Sequence, residues 1–241
     1  MHTDRAVPGN RVVFWDFDGT LALRPHLWAG ALRDALLLIE PASPVTTDQF
    51  RAGLSRGFPW HTPEVIVEAR SPDQWWSALR PTLVSAYEAA GIPKPIAEGA
   101  ASRVRTEFYR AEAWELIDGA TDALGLTKGA GYQNVILSNH GPELPELVDA
   151  LGLARWVTLT ITSAAVGAEK PHPRIFEFAR SASDAGPDTW MVGDNPVADI
   201  AGARRAGLRA ILADGAYPDS AGVTVLAAAR QIVANGKAPA G

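Results

Sequence analysis

Cysteine is absent from the 241-residue chain, which excludes disulfides, thiolate metal sites and a cysteine nucleophile. Its absence suits the cytoplasm, where thiols stay reduced, and that compartment is the expected one. Lysine is scarce: only four of the 22 basic residues are lysines, Lys94, Lys128, Lys170 and Lys237, so a lysine in a conspicuous context is informative. No stretch reaches the roughly eighteen uninterrupted apolar residues of a membrane helix. The opening Met1-His2-Thr3-Asp4-Arg5 lacks the basic-then-apolar pattern of a secretory signal. Long basic runs are also missing and the net charge is −5, which disfavours a nucleic-acid surface. What remains is 47% hydrophobic, ample for one large α/β domain, or one domain with an inserted module.

Residues 12–20 read Val-Val-Phe-Trp-Asp-Phe-Asp-Gly-Thr. An apolar run ends on two carboxylates, Asp16 and Asp18, followed by Gly19. Side chains at i and i+2 of a strand project to the same side, so the pair leaves the strand end together. Like charges held that close need a cation or a shared proton. Gly19 allows a sharp turn, and Thr20 adds a hydroxyl and a backbone N–H. An ordinary turn would account for Asp and Gly taken alone. The pair is better suited to holding a hard metal ion and attacking a phosphorus centre.

Residues 22–115 change character. Helical stretches rich in Ala, Leu, Glu and Arg are broken by proline-containing loops, and five of the eight tryptophans fall here (Trp28, Trp60, Trp75, Trp76, Trp114). No strand is expected, so the region reads as an all-helical insertion. Beyond it, helices are expected over 118–130, 144–151, 173–182, 196–206 and 223–234, with Asp118 or Thr121 capping the first. Strands are expected over 135–137, 158–162, 189–192 and 208–212. Such alternation argues for an α/β fold, a parallel sheet with helices on both faces. The core would comprise residues 1–21 and 116–241, the insertion residues 22–115. There is no internal repeat, and the tail after Asn235 is expected to fray.

Three later junctions carry polar residues, and in an open parallel sheet such strand ends face the ligand crevice. Ser138-Asn139 offers a hydroxyl and N–H groups for an anionic oxygen, although a turn alone explains the pair. Lys170, in Glu169-Lys170-Pro171, would offset the charge of a phosphoryl group or of clustered carboxylates. In isolation it reads as a solvated surface lysine. Gly193-Asp194 ends another strand, and Asp199 follows about one and a half helical turns on. One carboxylate at a helix start is ordinary capping. Two of them facing another acid pair ask for a cation.

Asp16-Phe17-Asp18-Gly19-Thr20, Ser138-Asn139, Lys170-Pro171 and Gly193-Asp194 with Asp199 occur in this order at four junctions. The ordered set resembles the haloacid dehalogenase superfamily in its phosphatase-like branch, spanning positions 12–199, and the insertion is similar to that branch's mobile helical cap. The resemblance implies a Rossmann-like parallel sheet with an all-helical cap inserted after the first strand. It implies covalent phosphoryl transfer, with Asp16 as nucleophile and Asp18 as acid and then base. Ser138 and the N–H of Asn139, with Gly19 and Thr20, would bind phosphoryl oxygens, and Lys170 would offset their charge. Mg²⁺ would be held by Asp16, the backbone carbonyl of Asp18 and Asp194, with Asp199 behind them orienting water or Lys170. The implied activity is Mg²⁺-dependent hydrolysis of a small phosphorylated metabolite by a monomer or homodimer, with neither nucleic acid nor membrane as partner.

Dehalogenases similar to this family generally lack the second acid, because displacing halide needs no proton donor. Phosphonate-cleaving relatives lack it too and add a cap lysine. Asp18 therefore favours P–O cleavage, and Lys94, the only lysine of the insertion, reads as an ordinary loop residue. A sugar phosphomutase would share these residues and shield the aspartyl-phosphate from water. A phosphate-binding regulator without turnover is disfavoured, since binding alone needs neither nucleophile nor proton donor. Substrate contacts are expected from Arg24, His26, Trp28 and the loop 56–61, unless Trp28 and Trp60 simply fill the cap interior. His140, directly after Ser138-Asn139, either faces the substrate or is an ordinary loop histidine, and the second is the expected reading. Trp75 and Trp76, adjacent on a helix, can hardly both be buried on one face, so one is expected against the core.

Overall fold

The computed structural model describes residues 9–68, 71–214 and 220–236. Val12 to Trp15 presents apolar groups to both sides, which only a strand covered on both faces can bury. Accordingly β1 (Asn10–Trp15) is the centre of a five-stranded parallel sheet. It pairs with β4 (Gln133–Ser138) on one side and β6 (Ala185–Gly193) on the other. β5 (Leu159–Thr162) and β7 (Arg209–Leu212) form the edges, in the order β5-β4-β1-β6-β7.

Strand alternation divides two cores. Val12, Phe14, Val135, Leu137 and Met191 pack against α9 (Pro173–Ala182) and α10 (Gly202–Arg205). Val13, Trp15, Ile136, Trp190 and Val192 pack the other way, against α6 (Ala120–Gly129) and α11 (Val225–Gly236). Each large apolar side chain buried this way stabilises the fold by about 1.5–3 kcal/mol relative to exposure. The chain runs outward from β1 through β4 to β5, then returns to β6 and β7 on the other side. The crevice at that reversal lies beyond the C-terminal ends of β4, β1 and β6.

The insertion is not all helical. β2 (Ala22–Leu23) and β3 (Glu115–Leu116) pair antiparallel where it leaves and rejoins the core, and two-residue strands are too short to show a sequence period. Between them lie α1 (Leu27–Leu37), α2 (Thr47–Arg51), α3 (Pro72–Ala89), α4 (Lys94–Ala101) and α5 (Val104–Phe108). α1 packs on α2, α4 and α5, and α3 on α4. Lys94 is the exposed first residue of α4 rather than a loop residue. Trp75 and Trp76 are both buried. The Trp75 ring lies against Gly141, and Trp76 Nε1 donates to Glu143 Oε1 at 3.0 Å. α3 therefore sits between the interior of the insertion and a core loop, where neighbouring helix positions each find cover.

α7 (Leu144–Ala150) and the short α8 (Ser163–Val166) complete the order. The strand expected at 189–192 begins earlier, at Ala185. Gly119, in the left-handed region at φ 79°, caps α6 in place of Asp118 or Thr121. The helix expected over 196–206 opens as a π-helical turn, Pro196–Ala201, before α10. Met1-His2-Thr3-Asp4-Arg5 and residues 237–241 of the tail lie outside the described residues, while α11 runs on to Gly236. Among the described residues, no helix is long and apolar enough to cross a membrane.

Candidate active site

Sheet register brings the distant motifs together. Trp15 lies beside Ile136 of β4 and Val192 of β6, so Asp16, Ser138 and Asp194 leave three neighbouring strand ends. Ser138 Oγ donates to Asp16 Oδ1 at 2.8 Å. Lys170 Nζ donates to the same oxygen at 2.7 Å and to Asp199 Oδ1 at 2.5 Å. Lys170 is only 3% exposed, far from the solvated lysine its type would suggest. Burial alone would depress its pKa, but Asp16 and Asp199 outweigh that and hold the ammonium above its ordinary value.

Two local features set this geometry. The Asn139 side chain clamps Lys170: Lys170 N–H donates to Asn139 Oδ1 at 2.6 Å, and Asn139 Nδ2 donates to Lys170 O at 2.8 Å. A Cβ at Gly193 would collide with the Asp199 carboxylate, so glycine lets Asp199 lie against the end of β6. Asn195 N–H donates to Asp199 Oδ2 at 3.0 Å, and Asn195 Oδ1 caps the π-helical turn through Val197 and Ala198 N–H, both at 2.9 Å.

Asp16, Asp194 and Asp199 each offer a carboxylate oxygen, all within 4.8 Å of one another. Oxygen-only donors suit a hard divalent cation. Three carboxylates around one buried ammonium also leave negative charge that such an ion would offset. Asp199, expected behind the metal ligands, thus stands among the clustered acids. Burial pushes its carboxyl up, Asp16 adds to this, and Lys170 opposes it.

Asp18 lines the same crevice. Its carboxyl is held well above the ordinary range by burial and by Asp16 and Asp194, against Lys170. Its side chain is 26% exposed, yet Oδ1 is buried without a hydrogen-bond partner, 3.6 Å from His140 Nε2. His140 lies in the loop after β4, as expected, and is buried there. Its only sequence signal is the position immediately after Ser138-Asn139.

The backbone N–H groups of Gly19 and Thr20 are taken up locally, while the Thr20 hydroxyl is buried without a hydrogen-bond partner. Gly19 N–H donates to Ala22 O at 2.9 Å and Thr20 N–H to Phe17 O at 3.2 Å. Both donors are consumed in shaping the turn, and neither residue borders the crevice. The crevice encloses about 400 Å³ and is roofed by Leu27, Trp28, Trp60 and Pro63 of the insertion. Trp28 also stacks on Phe108, with ring centroids 4.1 Å apart, so it both packs inside the insertion and faces the crevice. Arg24 does not face it: its NH2 group donates to Asp34 Oδ2 at 2.8 Å and Glu107 O at 3.3 Å. His26 is exposed outside the crevice. Arg56, Phe58 and His61 border a separate cavity of about 450 Å³, together with Glu169. That larger cavity holds none of the clustered aspartates and is not the chemical centre.

A family model described as haloacid dehalogenase-like hydrolase matches residues 10–207, the stretch carrying every residue of the cluster. Haloacid dehalogenase-like hydrolase domain-containing protein 3 of Homo sapiens is 29% identical over 218 residues, 85% of this chain and 82% of that protein. Phosphoserine phosphatase of Thermus thermophilus is 36% identical over 129 residues, 53% of this chain and 50% of that enzyme. Among solved structures, 2-haloacid dehalogenase from Pseudomonas syringae pv. Tomato DC3000 shares the fold with a TM-score of 0.63 at 24% identity, over 94% of this chain and 99% of that one. With the sheet order, the clustered acids and this match in agreement, the chain belongs to the haloacid dehalogenase-like hydrolase family.

Proposed function

We propose that the protein is a Mg²⁺-dependent phosphatase that hydrolyses a small phosphomonoester through an aspartyl-phosphate. The observation that carries this reading is the convergence on Asp16. One of its oxygens is held by Ser138 and Lys170, while Asp18, two residues on, supplies a carboxyl biased toward its protonated form. A crevice of about 400 Å³ is of a size for a metabolite rather than a polymer.

In the first half-reaction an Asp16 carboxylate oxygen bonds to phosphorus and the ester P–O bond breaks. Asp18 gives its proton to the departing oxygen. In the second, a water oxygen bonds to phosphorus and the bond to Asp16 breaks. Asp18, now ionised, takes the water's proton, restoring both carboxyl groups. Lys170 offsets phosphoryl charge beside Asp16 throughout. Asp16, the Asp18 carbonyl and Asp194 would hold Mg²⁺, with Asp199 close by. When bound, the ion supplies the positive charge that the cluster lacks and polarises phosphoryl oxygens.

The test is phosphate release from p-nitrophenyl phosphate and a panel of phosphorylated metabolites, with Mg²⁺ and with chelator. Turnover is expected only with the ion, and Asp16→Asn is expected to abolish it without unfolding the protein. Turnover retained in Asp16→Asn, or none from the unaltered protein across the panel, would overturn the reading.

A further inference from the structure

Two buried polar atoms in this protein face one another without a hydrogen bond. Asp18 Oδ1 and His140 Nε2 are both out of contact with solvent and without a partner, at 3.6 Å. Buried polar atoms left unsatisfied are uncommon and destabilising. A shift of a few tenths of an ångström would bring this pair within hydrogen-bond range.

The imidazole is fixed independently of Asp18. Tyr109 OH and His140 Nδ1 are hydrogen-bonded at 2.9 Å, and the backbone N–H of His140 donates to Ser163 Oγ at 3.1 Å, holding the residue that carries the ring. Phe17 packs edge-on to the ring at 5.8 Å between centroids, with Phe108 at 5.7 Å. Burial lowers the His140 pKa to about 4 and, with Glu143 near it, holds Tyr109 well above its ordinary value. A neutral imidazole presents either an N–H or a lone pair at Nε2. Either can pair with a carboxyl oxygen placed as Asp18 Oδ1 is.

We propose that His140, held by Tyr109, is a positioning residue for Asp18: it anchors Oδ1 so that the other carboxyl oxygen faces the leaving group. This rests on the phosphatase reading above. Tyr109 follows α5 of the insertion, so the contact also ties the cap to the orientation of the proton donor.

The experiment measures kcat/KM for an alkyl phosphate and for 2,4-dinitrophenyl phosphate, whose leaving group needs little protonation. His140→Ala is expected to lose on the order of tenfold to a hundredfold on the alkyl ester, with little loss on the dinitrophenyl ester. His140→Gln, which can place an amide near the Nε2 position, is expected to recover much of the loss. Tyr109→Phe should give the same asymmetry more weakly, and it keeps the test open if His140→Ala does not fold. In ¹⁵N spectra of the unaltered protein, the His140 Nε2 resonance is expected to move on Asp18→Ala. Equal losses on both esters, or an unmoved resonance, would overturn the positioning role while leaving the phosphatase reading intact. An unaltered protein that hydrolyses neither ester would overturn both.

Discussion

Asp16 and Asp18 were legible as single residues because a strand places i and i+2 on one side, a relation that needs no tertiary information. Lys170 was legible only as a member of an ordered set, since its burial depends on Asp16, 154 residues away. Glu169 gave no signal at all, yet it is 5% exposed with Oε2 unpartnered. Burial raises its pKa from 4.5 to about 7, opposed by Ser163 and Lys170. Because the folded value is the higher one, the folded state keeps the proton as the unfolded chain loses it. Stability therefore falls as pH rises from 4.5 to about 7 and stays reduced above that. The full reduction is on the order of 3 kcal/mol. Glu169→Gln cannot ionise, so it is expected to gain stability over the unaltered protein at pH 8 and little at pH 5. Urea unfolding at the two pH values checks this, and the same difference at both would refute it.

At the scale of elements, the strand and helix pattern of the core followed from periodicity, and Pro173–Ala182 forms as expected. The exceptions have local causes. β2 and β3 are too short to carry a period, and the π-helical turn after β6 keeps to the apolar pattern of an ordinary helix start. What distinguishes that turn is Asp199, folded back over Gly193. Gly193→Ala would force the Asp199 carboxylate away from Lys170 and the acid cluster. A displacement near 1 Å at such a site lowers turnover on the order of a hundredfold. That loss is expected in the phosphatase assay with the far-ultraviolet circular dichroism unchanged. Activity within about twofold of the unaltered protein would mean that the packing of Asp199 on Gly193 does not matter to turnover.

At the scale of the molecule, the sheet order and residues of the insertion line one crevice over three strand ends, with Asp16 and Asp194 just beyond the ends of adjacent strands. An ion bound only by the folded state stabilises it by about 2.7 kcal/mol when present at a hundred times its dissociation constant. On the Mg²⁺ reading, Mg²⁺ is expected to raise the melting temperature, and Asp194→Asn to shift that titration to higher concentration. A titration unaltered by Asp194→Asn would remove Asp194 from the ligand set.

The amino-acid sequence by itself determined the local relations. These are apolar runs that must be covered on both faces, a paired-acid strand end, and the order in which the polar junctions arrive. Such features act over a few residues and are written in spacing. Only the tertiary structure decided which groups are buried and what they meet. Asn139 clamps Lys170, Gly19 and Thr20 spend their N–H groups inside a turn, and His140 lies between Tyr109 and Asp18. Hydrogen bonding and desolvation depend on the partner across the crevice, and that partner is chosen by how the sheet and cap pack, not by its neighbours in the chain.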